Sequence, residues 1–316
     1  MNRRHNDIFS LQRQRGVVIV VALFIVALVA TMAYFMVARL ERDTTRTMMM
    51  LRDVQADYYA QASVDWARDQ LKNDFEMQKQ NQLVDTLPIQ SPEHKEHGYQ
   101  ISSTIYDMQG RYNLNNLTDQ NAQAQFKNFI RTMNPQMNEE DAKGIVQAIA
   151  DWITPGAPSN AFSKYYAELP MPYRAAHRMM YTPSELRLVK GVTPTLYNSL
   201  QPFVTALPEV TQININTAPA EVLMLLSPTM TPDIAKSIVA LRSGKPFVTP
   251  QAFADSDIAK NHQITADKVT VLSSYFLVVT NVTIENQHLV LYTLLQRAVK
   301  DKKAIVNILW QSKGVW

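Results

Sequence analysis

A run of 22 residues without a charged side chain, Val17 to Ala38, is the feature that most restricts the fold of this chain. As an α-helix the run would be about 33 Å long, since each residue adds about 1.5 Å. That length matches the hydrocarbon core of a bilayer, which is about 30 Å thick. A cleaved secretory signal has a shorter apolar core followed by an A-x-A-like site, and the run contains no such tripeptide. The run therefore predicts a transmembrane helix that stays on the protein.

The leader before this run, residues 1–16, predicts its orientation. It holds four arginines and one aspartate, and so accounts for the whole formal charge of +3. Positive charge near a membrane span favours the cytoplasmic side. We therefore expect a single-pass inner-membrane protein with a cytoplasmic N-terminus and a periplasmic C-terminal domain. The charged leader residues are Arg3, Arg4, Asp7, Arg13 and Arg15.

The rest of the chain carries equal numbers of acidic and basic side chains. Affinity for nucleic acid comes mostly from Lys and Arg that neutralise phosphates, so this balance argues against nucleic-acid binding. The chain has no cysteine, which excludes disulfides and thiolate metal sites.

A long helix and one strand are predicted after the apolar run. Residues 39–77 contain neither glycine nor proline, and four apolar residues recur there at helical spacing. The helix should therefore continue out of the membrane. Residues 99–107 alternate and are rich in Ile, Thr and Tyr, which indicates a strand. The four residues at helical spacing are Val54, Tyr58, Ala62 and Trp66.

Short helical segments dominate residues 117–272, and strand patterns return at 274–285, 288–299 and 304–312. An isolated strand at 99–107 would be unstable, so it should pair with the late strands. We therefore expect an α+β protein with a large all-α domain inserted between the first strand and the last three. The predicted boundaries are a leader at 1–16, a transmembrane helix at 17–38, its periplasmic continuation at 39–77, an α+β domain at 78–116 and 273–316, and the inserted domain at 117–272.

Two segments of the inserted block, about 183–205 and 219–242, share P-x-E-[LV], an apolar turn, and T-P before a second helix. Each predicts a helix-hairpin-helix-like unit. Nucleic-acid-binding hairpins use glycines to bring backbone N–H groups close to a phosphate. The second hairpin has no glycine and the first has only Gly191, so we expect packing or protein contacts instead.

The junction at Gly16 resembles the leader of type IV pilins and of the pseudopilins of the type II secretion system. That resemblance implies cleavage after Gly16 by a prepilin peptidase and methylation of the new amine at Val17. Those families usually place Glu at the fifth mature residue, where this chain has Val21. A carboxylate in the bilayer core costs at least about 2.5–3.5 kcal/mol unless it finds a partner. The accepted partner is the amine of the subunit inserted before it, so a subunit with Val21 loses least where no subunit lies ahead.

Nearly the whole chain resembles one pseudopilin family, protein K of the type II secretion system. The missing fifth-position Glu is a mark of that family, and a helical domain inserted into the pseudopilin sheet is similar to it as well. The segments that carry the resemblance are "RQRG" (13–16), "YDMQGRYNLNNL" (106–117), "IADWI" (149–153), "YRAAHRMMYTPSELRLVKGV" (173–192) and "ININTAPAEVLMLL" (213–226).

The resemblance implies a role at the tip of the periplasmic pseudopilus. Family members cap it together with the minor pseudopilins I and J, through packing of their N-terminal helices, and support protein export across the outer membrane. The other implied partners are the major pseudopilin, the prepilin peptidase and the inner-membrane secretion platform.

The resemblance also raises the question of calcium, because some family members bind it through carboxylates after the "DW" motif. Calcium takes six to eight oxygen ligands. This chain offers Asp151 and then no acid before Glu168, so these two are only weak candidate ligands.

Catalysis is not expected. His177 and His262 lie in polar segments without a nearby Cys or paired His, and the H-x-E-H of residues 94–97 lies in a predicted loop. No phosphate loop, dinucleotide fingerprint or G-x-S-x-G motif occurs. We therefore expect a protein that is not an enzyme.

Several polar residues are expected to have structural roles. The acidic residues at 139–141 suit the first turn of a helix, and Asp151 with Trp152 suits the end of that helix. Asn214, Asn216 and Thr217 should organise a turn and cap a helix near Pro219.

Two alternative functions stay open. A minor pilin of a type IV or DNA-uptake pilus would have a basic, glycine-bearing hairpin and usually a smaller ectodomain. A single-pass envelope adaptor protein would keep its leader uncleaved.

Overall fold

The computed structural model describes residues 10–79, 88–96, 98–156 and 160–314. The chain divides into two compact units, Met1–Tyr58 and Tyr59–Trp316. The described helices are α1 (Ser10–Lys79), α2 (Gln120–Met133), α3 (Glu139–Ile153), α4 (Asn160–Ala167), α5 (Pro194–Leu200), α6 (Ala220–Leu223), α7 (Pro232–Gly244), α8 (Pro250–Ala254) and α9 (Asp257–Asn261), with 3-10 turns at Leu114–Thr118, Pro183–Leu188, Met224–Leu226 and Ala266–Lys268.

The strands lie at both ends of the second unit and at a few points between. Those described are β1 (Ile89–Gln90), β2 (His94–Glu96), β3 (Tyr99–Asp107), β4 (Tyr112–Asn113), β5 (Val204–Thr205), β6 (Ile213–Asn214), β7 (Val269–Thr270), β8 (Tyr275–Ile284), β9 (Gln287–Lys300) and β10 (Lys303–Lys313).

The main sheet is antiparallel, with the order β1-β3-β8-β9-β10 and β2 also paired to β3. Strand β3 pairs with β8 along its whole length, from Tyr99 opposite Ile284 to Asp107 opposite Phe276. All of the chain between these two neighbouring strands is an insertion. The predicted α+β fold class is therefore confirmed, with β3 and the three late strands close to the predicted bounds.

The inserted block is mostly helical, but two small parallel pairings interrupt it. Strand β4 pairs with β5, and β6 pairs with β7, over two residues each. These pairings depart from the all-α prediction. Two residues are too few to show an alternating pattern, so only the long-range pairing reveals such strands.

The hairpin units also have shorter first helices than expected. The first unit begins with the 3-10 turn Pro183–Leu188 and continues to α5. The second begins with the four residues of α6 and the 3-10 turn Met224–Leu226 before α7. Helices α5 and α7 each begin with proline after a threonine N-cap, an arrangement that suits a helix start because proline lacks the N–H that would be unpaired there.

The acidic first turn of α3 is confirmed. Asn138 caps the helix by accepting the N–H of Asp141 at 2.8 Å, and the three acidic residues 139–141 follow it. Negative charge at that end is favourable because the helix dipole leaves it partly positive.

In the second unit, one face of α1 packs on the sheet. The residues turned inward there are Val64, Ala67 and Leu71, all with no exposed surface. Arg68 of α1 donates to the carbonyl of Val306 in β10 at 3.1 Å. The helix therefore covers this side of the sheet. The inserted domain has its own, larger core around Trp152, which includes Phe126, Tyr166, Leu186 and Val222.

Candidate assembly site

The N-terminal part of α1 presents apolar side chains on every side. The residues from Val17 to Val37 include bulky side chains that are roughly half to three-quarters exposed, and the most apolar window has no buried residue. A helix that is apolar all round suits a bilayer. Gly16 lies within this helix, with open space where a Cβ would be. Residues 1–9, including Arg3, Arg4 and Asp7, fall outside the described part, so leader cleavage and methylation of Val17 stay predictions.

Beyond the apolar run, α1 carries a second exposed apolar stripe. Leu51, Val54 and Tyr58 follow one another at spacings of three and four, which places them on one helix face. All three are exposed, Tyr58 by 75%. Of the four residues predicted at helical spacing, Val54, Tyr58 and Ala62 are exposed and Trp66 is half-buried, whereas the buried face of the helix is made of different residues. An exposed apolar stripe on a helix suits packing against another helix.

Arg297 joins the sheet to α1 from inside. It is only 4% exposed, and its guanidinium donates to the carbonyls of Leu71 at 3.3 Å and Ser273 at 2.9 Å. The same group lies over the rings of Phe276 and Phe75, at 4.8 and 5.8 Å. Sequence reasoning missed this residue because an arginine at an alternating strand position resembles a solvent-facing one.

Asp107, the last residue of β3, joins the sheet to the inserted domain. Its buried carboxylate accepts hydrogen bonds from Asn214 Nδ2 at 2.9 Å, from Ser273 Oγ at 2.7 Å, from the Gln109 N–H at 2.8 Å, and from Thr217 Oγ1. Charged acceptors form the stronger hydrogen bonds of proteins. We call these five residues the clasp. It unites two segments that carried the family resemblance, 106–117 and 213–226.

A glycine allows the close approach of those two segments. A Cβ at Gly110 would lie 2.9 Å from Thr217 Oγ1 and 3.3 Å from the Thr217 carbonyl carbon. Any larger residue would push the two chains of the clasp apart. Only glycine fits this contact without a shift of Thr217.

Three asparagines continue the connection inward. Asn113 Nδ2 donates to the carbonyl of Glu209 at 2.7 Å. Asn115, fully buried, donates to the carbonyls of Met180 and Leu207 and accepts the Met180 N–H. Asn116 donates to the Thr211 carbonyl and accepts its N–H. Buried amides that are satisfied in this way specify one packing of the segments around them.

Asn214, Asn216 and Thr217 have the structural role that was predicted, but not as helix caps. Asn214 accepts the N–H of Asn216 in a local turn, and Asn216 exchanges two hydrogen bonds with the backbone of Phe247. Helix α6 begins with Pro219 as its N-cap, without a side-chain cap. The capping prediction was wrong because tertiary partners occupy these side chains.

The histidines singled out from sequence lie in separate places. His177 Nδ1 is 3.1 Å from the carbonyl oxygen of Asp151, and His262 Nδ1 is 2.8 Å from Thr229 Oγ1. His94 lies in β2, and His97 lies outside the described residues. Structure brings none of these described imidazoles into a shared cluster.

Trp152 connects the "DW" segment to the first hairpin unit. Its Nε1 donates to Glu185 Oε2 at 3.2 Å, while Glu185 Oε1 accepts the N–H of Tyr181. Nearby, the hydroxyl of Tyr166 accepts the Lys190 N–H, and burial raises the pKa of Tyr166 to about 12. The segment packs and positions the hairpin, as expected for the end of a helix.

Gly191, the glycine of the first hairpin, is used for packing. Its φ is +85°, and a Cβ there would lie 2.8 Å from Ile145 Cγ1. Glycine adopts this left-handed conformation without strain. The glycine of this hairpin thus lets its backbone approach helix α3 closely.

The two weak calcium candidates differ in environment. Asp151 is buried in the last turn of α3, whereas Glu168 is exposed and lies 3.8 Å from Lys164. Across the described residues, no group of three Asp, Glu or His side chains could hold a metal ion. Calcium takes six to eight oxygen ligands, more than these two carboxylates supply. Calcium binding stays a prediction from the resemblance.

A cleft of about 790 Å³ lies beside the clasp, and sequence reasoning missed it. Its walls come from α2, from the segment around Val210, and from residues 267–275. These segments are far apart in the chain, so no local pattern could have revealed a shared cavity.

Comparison with known proteins decides the family. The profile described as "Type II secretion system (T2SS), protein K" matches residues 110–209 and 213–273. The type II secretion system protein K of Pseudomonas aeruginosa is 30% identical over 308 residues, covering 92% of this chain and 90% of the relative. The chain belongs to the type II secretion system protein K family.

Further similarities agree with this assignment. Protein K of Pectobacterium carotovorum is 31% identical over 294 residues, covering 84% of this chain and 87% of the relative. A chain of the GspK-GspI-GspJ complex crystal structure from enterotoxigenic Escherichia coli matches with a TM-score of 0.71 at 22% identity, covering 86% of this chain and all of that one. The family fold, with its inserted helical domain, is thus shared.

Proposed function

We propose that this chain is a minor pseudopilin that caps the tip of the periplasmic pseudopilus and so supports protein export across the outer membrane. The observation that carries the proposal is the clasp. It holds a large helical insert on the pseudopilin sheet through a buried, multiply hydrogen-bonded carboxylate. A bulky domain mounted in this way would obstruct the addition of a further subunit.

The proposal includes a membrane orientation and a processing step. The leader stays in the cytoplasm, a prepilin peptidase cleaves after Gly16, and Val17 is methylated. The helix beyond Val17 remains as a single inner-membrane span, and the second unit lies in the periplasm. The basic leader and the uncharged run support this orientation through the positive-inside rule.

The proposed partners are the minor pseudopilins I and J, the major pseudopilin, the prepilin peptidase and the inner-membrane secretion platform. The related GspK chain occurs in a complex with GspI and GspJ. In this chain the exposed stripe of Leu51, Val54 and Tyr58 supports helix packing with I and J. The proposed role is assembly, without a catalytic step.

Val21 makes the tip position testable. In a subunit with another subunit ahead of it, a carboxylate at this position can pair with that neighbour's N-terminal amine. At the tip no such amine exists, and an unpaired carboxylate in the bilayer costs at least about 2.5–3.5 kcal/mol. The Val21→Glu substitution should therefore weaken assembly of a tip subunit and should be tolerated in a subunit placed lower.

The experiment measures co-purification of I and J with the full chain, together with secretion, in cells that express wild type, Val21→Glu or the apolar control Val21→Leu. Intact mass and the N-terminal peptide are recorded with and without the peptidase. We expect peptidase-dependent methylated Val17 in all three, with co-purification and secretion reduced only for Val21→Glu. Normal assembly of Val21→Glu would contradict the tip position, and an intact leader in both strains would contradict the pseudopilin role.

A further inference from the structure

One wall of the cleft beside the clasp is an amide stripe on α2. Asn121, Gln125 and Asn128 line the cleft from successive turns of the helix. Their side-chain amides make no hydrogen bond within the described part of the chain. Amides both donate and accept. The stripe therefore offers uncommitted partners for a ligand that also has both kinds of group.

The segment around Val210, also in the lining, offers free backbone and an apolar contact. Val210 is 62% exposed, and its N–H makes no hydrogen bond to any residue that the structure describes. The backbone N–H and carbonyl of its neighbour Thr211 are both hydrogen-bonded to the side chain of Asn116. The segment is thus held from one side, while Val210 remains available.

One residue of the lining, Tyr112, has a buried polar group that is unsatisfied within the described part of the chain. Tyr112 is 3% exposed, its ring stacks on Phe126 at 5.3 Å, and its hydroxyl has no hydrogen-bond partner among the described residues. A buried hydroxyl without a partner costs free energy. Tyr275, also in the lining, contrasts with it because its hydroxyl donates to Glu209 at 2.6 Å and accepts from Gln296.

The charge of the lining indicates which ligand charge the cleft favours. Among the described residues, three carboxylates line the cleft, those of Asp119, Glu209 and Asp267, against the single cation of Lys268. Acidic lining with low-dielectric walls favours a positive group and disfavours phosphate or other anions.

We propose that this cleft binds an extended peptide segment of another protein that carries a basic side chain. The amide stripe and the Val210 N–H would pair with the peptide backbone, the side chain of Val210 would contact an apolar residue, and the carboxylates would attract the cation. Main-chain pairing combined with side-chain selection is how extended peptides are recognised.

A glycan fits less well. Within the described part of the chain, the aromatic residues of the lining are Tyr112 and Tyr275, and both are buried. No aromatic face of the described lining is therefore open to stack on a sugar.

The test uses the full chain in detergent micelles and a random twelve-residue peptide library displayed on phage. The selected peptide that binds most tightly is then synthesised with a fluorescent label, and its Kd is measured by fluorescence anisotropy. Chitotetraose is the glycan probe, measured by calorimetry on the same protein.

The decisive variant is the double substitution Gln125→Lys and Asn128→Lys, which places two positive charges in the cleft. The matched control is Gln120→Lys with Asn198→Lys, which adds the same charge at exposed positions outside the lining. Lysine is a good helix former, so both variants should fold, and a thermal melt checks this.

We expect peptides enriched in Lys or Arg, a Kd at least tenfold weaker in the cleft variant, and a change within twofold in the control. A selection without basic residues, equal affinity in both variants, or chitotetraose binding in place of peptide would overturn the proposal. Co-purification of I and J with each variant is measured in parallel, so loss of peptide binding is distinguished from loss of assembly.

Discussion

The clasp and the neighbouring cleft are built from the same kinds of residue, yet they differ in how those residues are used. In the clasp region Asn113, Asn115 and Asn214 have every amide engaged in buried hydrogen bonds. In the cleft the side-chain amides of Asn121 and Asn128 make no hydrogen bond within the described chain. A buried polar group destabilises the fold unless it is hydrogen-bonded, whereas a polar group at a cleft surface is solvated and stays available to a ligand. Asparagine is thus structural in one place and available for binding in the other.

The largest effect should come from removing the acceptor at the centre of the clasp. Asp107→Ala leaves buried donors of Asn214 and Ser273 unpaired, and each such group costs about 1–3 kcal/mol. We expect a loss of about 3–5 kcal/mol in the free energy of unfolding, measured by urea titration with tryptophan fluorescence. The control Asp65→Ala removes only an exposed ion pair with Arg68 and should change stability by less than about 1 kcal/mol. Equal effects in the two variants would remove the special role of the clasp.

Asparagine gives the sharpest comparison, because it occurs both in the clasp region and in the cleft. Asn115→Ala should cost about 2–4 kcal/mol, because it orphans the Met180 N–H and the carbonyls that Asn115 now bonds. The side chain of Asn121 is exposed and makes no hydrogen bond to any described residue, so Asn121→Ala should stay within about 0.5 kcal/mol of wild-type stability. The same urea titration measures both. A large loss for Asn121→Ala would mean that the cleft wall is structural after all.

The smallest effect has the opposite sign. Tyr112→Phe deletes a buried hydroxyl that has no partner in the described chain, so stability at pH 8 should rise by about 1 kcal/mol. Tyr275→Phe, which loses bonds to Glu209 and Gln296, should lower it instead. Urea titrations of both variants decide the signs, and a stability loss in Tyr112→Phe would show that the hydroxyl has a partner.

The same variant has a pH signature. Burial raises the pKa of Tyr112 above its ordinary value, so the folded chain keeps the phenol neutral where the unfolded chain ionises. Stability should therefore fall as pH rises above about 10, the ordinary pKa of tyrosine. Tyr112→Phe should show a shallower fall between pH 9 and 11 than wild type.

Local patterns account for the parts of the fold that were predicted correctly. The length of the uncharged run, the absence of glycine and proline in α1, the alternation in β3 and the late strands, and the acidic turn of α3 all lie within short windows. Helix and strand periodicity are properties of neighbouring residues, so sequence alone reveals them. Such windows could not show which face of α1 meets the sheet, since Val54 and Tyr58 fit the helical period as well as Val64 and Leu71 do.

By itself, the sequence determined that this is an anchored α+β chain with an inserted helical block, and it carried the motifs that resemble the protein K family. Only the tertiary structure decided that Asp107 meets Asn214, that Arg297 holds α1, and that an open cleft lies beside the clasp. The reason is physical. These contacts join groups far apart in the chain, and whether an asparagine is buried and paired or free depends on what folds against it.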